Sequence, residues 1–106
     1  MPLSKTDDAR GELVSTARAM ISNEINLIEG LRKITSLRFD VGDPDNEVFL
    51  SIRGMESETD NFPIGAMRTN CSLEFLERMD REMANYLADA KDDILQSCRD
   101  IIATFS

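Results

Sequence analysis

Ser72-Leu73-Glu74-Phe75-Leu76-Glu77-Arg78-Met79-Asp80-Arg81-Glu82-Met83-Ala84-Asn85-Tyr86-Leu87-Ala88-Asp89-Ala90-Lys91-Asp92-Asp93-Ile94-Leu95-Gln96-Ser97-Cys98-Arg99-Asp100-Ile101-Ile102-Ala103-Thr104-Phe105 contains neither Gly nor Pro. Its apolar residues recur at helical spacing: Leu76, Met79, Met83, Tyr86, Leu87, Ala90, Ile94, Cys98, Ile101 and Phe105 share one face. Arg78, Arg81, Glu82, Asn85, Asp89, Asp92, Gln96 and Arg99 share the other. Ser72 is a natural N-cap, and Glu74 and Glu77 sit where the helix dipole favours negative charge. The pattern predicts one helix over residues 73–104, roughly 48 Å long at 1.5 Å per residue.

A helix of that length needs a partner. Residues 8–37 supply a second helical stretch, unbroken or with one break, whose apolar face holds Leu13, Ala17, Met20, Ile21, Leu27, Ile28, Leu31 and Ile34. Gly30 lies inside it, where Gly costs about 1 kcal/mol relative to Ala. It marks either a break or a close backbone approach, and close approach is the favoured reading. The expected fold is all-α: one domain over residues 1–106, with two long antiparallel helices around an irregular acidic middle segment. Two helices alone bury a thin core, so a homodimer completing the bundle is also expected.

The middle segment is punctuated by Gly42, Pro44, Gly54, Pro63 and Gly65. Residues 47–53 alternate enough to suggest an extended run, but a lone strand has no partner here. The favoured readings are an irregular stretch that packs Phe49 and Ile52 on the helices, or an edge used between subunits. Its charge is more telling. The 106-residue chain has 12 Lys+Arg and 20 Asp+Glu, a net −8, and residues 40–60 alone carry −6 of it.

Composition excludes several chemistries. The chain has no His, which rules out Ser-His-Asp and Cys-His catalysis, His-ligated zinc and Glu-x-x-His di-iron sites. Its two cysteines, Cys71 and Cys98, lack C-x-x-C spacing and are expected to be free thiols, Cys98 in the core. The acidic balance argues against nucleic acid, which calls for a field of Lys and Arg. No signal-peptide pattern or membrane-length apolar run is visible, so no membrane association and a cytoplasmic location are expected. No Walker loop, G-x-G-x-x-G or G-x-S-x-G occurs, and no cofactor is expected.

Glu24 is the most conspicuous single residue. On the wheel of a continuous helix it falls among Met20, Ile21, Leu27, Ile28 and Leu31. A lone buried carboxylate costs several kcal/mol, so Arg68, Arg53 or Arg38 should pair with it. The favoured reading of Glu24 and Arg68 is a structural buried polar pair that pins the middle segment to the helix. Polar access in an oligomer interface and a catalytic or metal role are the alternatives. The loop over residues 55–65 could offer oxygen ligands, but it fails the EF-hand spacing, so no metal is expected; Ser57, Thr59 and Asp60 are read as satisfying backbone amides. Six methionines are read as flexible core filling.

Ile21-Ser22-Asn23-Glu24-Ile25-Asn26-Leu27-Ile28-Glu29-Gly30, then Glu56-Ser57-Glu58-Thr59-Asp60-Asn61-Phe62-Pro63-Ile64-Gly65-Ala66-Met67-Arg68, then Leu76-Glu77-Arg78-Met79-Asp80, together resemble a family of short bacterial proteins of unknown function. The resemblance covers about residues 17–100 and implies no established enzyme activity. It departs at Cys71, a position that looks commonly aromatic in that family.

Two classes of function follow as expectations. The first is a non-enzymatic binding protein, concretely an immunity protein or inhibitor that neutralises a basic toxin or nuclease. Its contacts are expected at Asp43, Asp45, Glu47, Glu56, Glu58 and Asp60. The alternative is a self-associating helical protein of structural or regulatory role. A small enzyme built on Glu24, Glu29, Asp60 and Arg68 is disfavoured, because nothing supplies a nucleophile.

Overall fold

The computed structural model describes residues 5–106, which contain four α-helices, two short 3-10 turns and no strand. Helix α1 spans Lys5–Ile21 and α2 spans Leu27–Asp40. A 3-10 turn at Glu47–Phe49 leads into α3, Leu50–Glu58; a second, at Gly65–Asn70, precedes α4, Leu73–Phe105. The all-α expectation holds. The middle segment, expected to be irregular, is helical over residues 47–58, where an extended run was also conceivable; Asn46 caps it, its side chain accepting from the Val48 amide at 3.0 Å.

The longest element matches its sequence pattern closely. Helix α4 has 33 residues, and Ser72 accepts from the Phe75 amide at 3.2 Å. At 1.5 Å per residue it is about 50 Å long, close to the molecule's 51 Å longest dimension. Met79, Met83, Ile94, Ser97, Cys98 and Ile101 on it are buried.

The first stretch is two helices, broken at residues 22–26 rather than at Gly30. Asn23 takes φ +59°, its amide donates to the Met20 carbonyl (3.2 Å), and the Glu24 amide donates to the Ala19 carbonyl (2.8 Å). This pair of bonds is a Schellman terminus, with Asn in the left-handed position that Gly usually fills. Asn26 then opens α2, its Oδ1 accepting from the amides of Ile28 (2.8 Å) and Glu29 (3.2 Å). Five residues between helices, 22–26, let α2 fold back on α1.

Gly30 is the point of close approach. A Cβ there would lie 2.6 Å from Met20 Cγ, well inside van der Waals contact. Met20 fills the space that a side chain would need, and its sulfur accepts from the Cys98 thiol at 3.7 Å. Around this junction Leu13, Ala17, Ile28, Leu31, Ile34, Phe49, Ile52, Ile94, Cys98 and Ile101 are all sealed from solvent. Each large side chain among them contributes about 1.5–3 kcal/mol by leaving water. Phe49 also stacks on Phe105, with ring centroids 5.6 Å apart. The reading of Phe49 and Ile52 as residues packed on the helices therefore stands.

Both cysteines are free, and burial pushes the Cys98 thiol up to about 11. Among the described residues no helix is long and apolar enough to cross a membrane.

Candidate functional site

Glu24 is exposed, which corrects its expected burial. The wheel that placed it among apolar residues assumed an unbroken helix, and the left-handed turn at Asn23 shifts the phase just before it. Its backbone amide closes α1, and among the described residues no Arg forms a salt bridge with its side chain. Arg68 is half-buried and forms a two-pronged pair with Asp80, Nη1 to Oδ1 and Nη2 to Oδ2, both at 2.8 Å. Arg68's hydrogen bonds hold the Asp80 carboxyl below its ordinary value against an opposing effect of burial. The same bonds raise Arg68.

What pins the middle segment to the helices is Arg32. Its Nη2 donates to the carbonyls of Thr59 (3.0 Å), Asp60 (3.3 Å) and Phe62 (2.6 Å). A guanidinium suits this task because it serves several carbonyls of one turn without an anion. Thr59, sealed from solvent, donates its hydroxyl to the Met55 (2.9 Å) and Glu56 (3.2 Å) carbonyls. It therefore closes α3 through carbonyls, not through the amides expected of that loop. In the turn after α2, the Pro44 carbonyl accepts from Arg38 at 2.7 Å.

The six acids expected to bind a partner fall into two groups. Asp43, Asp45 and Glu47 precede α3, while Glu56, Glu58 and Asp60 lie at its C-terminal end. All are exposed except Glu56, which is half-buried. Asp43 accepts from the Asn46 side chain at 2.9 Å, and Asp45 lies 3.8 Å from Arg53. Glu58 enters a groove. It lines a space of about 300 Å³ between α3 and α4 together with Ser51, Gly54, Met55, Asp93, Gln96, Ser97 and Asp100.

Three carboxylates line that groove and no Lys or Arg does. Glu58 is fixed from outside by Tyr86, whose hydroxyl donates to it at 2.8 Å. Burial first, then this bond to a carboxylate, pushes the phenol up to about 12. Asp93 and Asp100 escaped attention in the sequence. Asp93, Gln96, Ser97 and Asp100 nevertheless repeat at i, i+3, i+4 and i+7, a polar stripe with helical spacing. The groove can accept hydrogen bonds from cationic side chains. Among the described residues no group of three His, Cys, Asp or Glu could hold a metal ion.

A second groove, of about 400 Å³, lies on the N-terminal half of α4. Asn26, Glu29, Pro63, Ile64, Gly65, Arg68, Asp80, Met83, Ala84 and Leu87 line it. Residues from the stretches 21–30, 56–68 and 76–80 all reach it. Lys33 stands at the i+4 position from Glu29, where an ion pair is favourable on a helix, but it bonds Glu12 of α1 at 3.1 Å instead.

No protein-family model matches this chain, and neither a curated protein nor a solved structure matches it.

Proposed function

We propose that this chain is a non-enzymatic binding protein that covers a basic surface of a protein partner. The acidic groove between α3 and α4 supplies the centre of its contact face. The observation that carries this reading is the convergence of Glu58, Asp93 and Asp100 on one groove without a cation in its lining. Leu50, 60% exposed, lies one helical turn before Gly54 of that groove and offers an apolar anchor at its edge. A net charge of −8 would speed encounter with a cationic partner and lose that effect in salt. An immunity protein or inhibitor that neutralises a basic toxin or nuclease is the concrete form, with Asp43, Asp45, Glu47, Glu56 and Asp60 at the rim.

The test is affinity purification with mass spectrometry, comparing the wild type with the triple variant Glu58→Lys, Asp93→Lys, Asp100→Lys. A basic protein retained by the wild type, lost from the variant and weakened by salt is the expected result. Equal retention by both chains would sink the reading.

Self-association is the second reading. Met67, in the 3-10 turn before α4, and Leu73, at the start of α4, are 65% and 72% exposed and favour it as apolar surface for a second copy. The placement of Arg10 against Phe105 and Met20 against Cys98 supports an antiparallel run of α1 along α4, a bundle that a dimer would extend. Light scattering separates the two readings, since a strict monomer removes this one.

A further inference from the structure

We propose that the groove around Glu29 and Arg68 binds a small organic cation, a protonated amine carried on an apolar body. This site is distinct from the acidic groove. On α4 its residues Asp80, Met83, Ala84 and Leu87 stand 13 positions before Asp93, Gln96, Ser97 and Asp100, about 20 Å along the helix axis. It stands whether or not the other groove binds a protein.

The size and lining of the groove set the kind of ligand. A space of about 400 Å³ equals that of roughly 13 waters, too large for a bare ion and within the range of small-molecule sites. Pro63, Ile64, Met83, Ala84 and Leu87 give it apolar walls, so the body of the ligand should be apolar.

The charged groups set its sign. Arg68 is already committed: both terminal nitrogens bond Asp80, and Nη1 also reaches the Pro63 carbonyl at 3.3 Å. The amide end of α2, which would otherwise favour an anion, is occupied by Asn26 through its bonds to Ile28 and Glu29. Glu29 is the group left over. Its ideal helical partner Lys33 is held by Glu12, and no hydrogen bond or ion pair among the described residues engages its carboxylate. Its Oε1 lies 3.9 Å from where a side chain on Gly65 would begin, which places it over the Gly65 backbone at the groove wall. Glu29, Arg68 and Asp80 sum to one negative charge, the complement of a monocation.

The probe is 4-phenylbutylamine, titrated into the full chain and followed through backbone amide shifts. Its neutral and anionic analogues, 4-phenylbutanol and 4-phenylbutyrate, serve as comparisons. Saturable shifts at Glu29, Gly65 and Ala84 are expected with the amine, and binding of the alcohol about tenfold weaker or less. Glu29→Gln, an exposed and nearly isosteric change, should weaken the amine about tenfold while its thermal melt stays that of the wild type. Three results would each overturn the assignment: no saturable shift at those amides, unchanged binding by Glu29→Gln, or butyrate binding as tightly as the amine.

Discussion

Residues 5–40 and residues 73–105 each carry an apolar stripe at helical period, yet the first is two helices that fold back on each other and the second is one helix of 33 residues. Hydrophobic spacing does not distinguish them. Capping chemistry does. Residues 22–26 contain an Asn able to take φ +59° and a second Asn that caps the next helix, while residues 73–105 contain neither Gly nor Pro and show no internal cap. The long helix is a spine; α1 of the broken stretch packs along it, and α2 packs on α1 and α3.

The strongest way to break this comparison is to ask whether both stretches share one core. Ile28 on α2 and Ile101 on α4 are fully buried. Ile28→Ala and Ile101→Ala should each cost about 2–5 kcal/mol in urea unfolding, with a single transition for both variants. A second transition in either would show that the two stretches are stabilised separately. The next effect is smaller and sets one cap against the other. Asn26→Ala should cost about 1 kcal/mol of global stability, because it removes two amide acceptors between packed helices. Ser72→Ala removes one acceptor from a first turn whose Leu73 and Glu74 are exposed. It should fray that turn, seen as faster amide exchange near Phe75, with less change in the urea midpoint.

These two caps also explain how much could be read in advance. The α4 boundaries and most of its buried face were legible, because one Ser cap precedes a long stretch without breakers. Gly30 was legible as a close approach, though not what would fill the space. The Ser22-Asn23 and Asn26 signals were present as well, but the apolar wheel of residues 8–37 outweighed them, and that put Glu24 inside. Helix α3 stayed hidden because Val48 of the preceding 3-10 turn and its own Leu50 and Ile52 alternate like a strand; of residues 48–52 only Phe49 and Ile52 are fully buried. At the candidate sites, single residues were legible and their neighbours were not. Glu58 was singled out, whereas Asp93 and Asp100 reach it only through the packing of α3 on α4. Arg32 was missed for the same reason: its partners are carbonyls 27 to 30 residues away, which no spacing rule reveals.

The smallest effect concerns the place where the middle segment holds the spine. Tyr86 is the chain's one tyrosine, so its ionisation can be followed by ultraviolet absorbance alone. Its midpoint should fall at about 12 and not near the ordinary 10. A raised folded value means that the neutral phenol is favoured by the fold: its contribution is whole below pH 10 and disappears as pH climbs through about 12. Glu58→Gln should bring the midpoint part of the way down, because burial, the larger cause, remains.

The contact between Met20 and Gly30 has a consequence for oxidative chemistry. The Met20 thioether is enclosed by Gly30 on one side and Cys98 on another, and the residue is 1% exposed. Peroxide can reach that sulfur only when the packing around α1 opens, whereas Met67, 65% exposed, is open to it in the folded state. A sulfoxide at Met20 would not fit back over Gly30. The junction thus keeps a chemical record of its own opening, written in one sulfur atom and read against another.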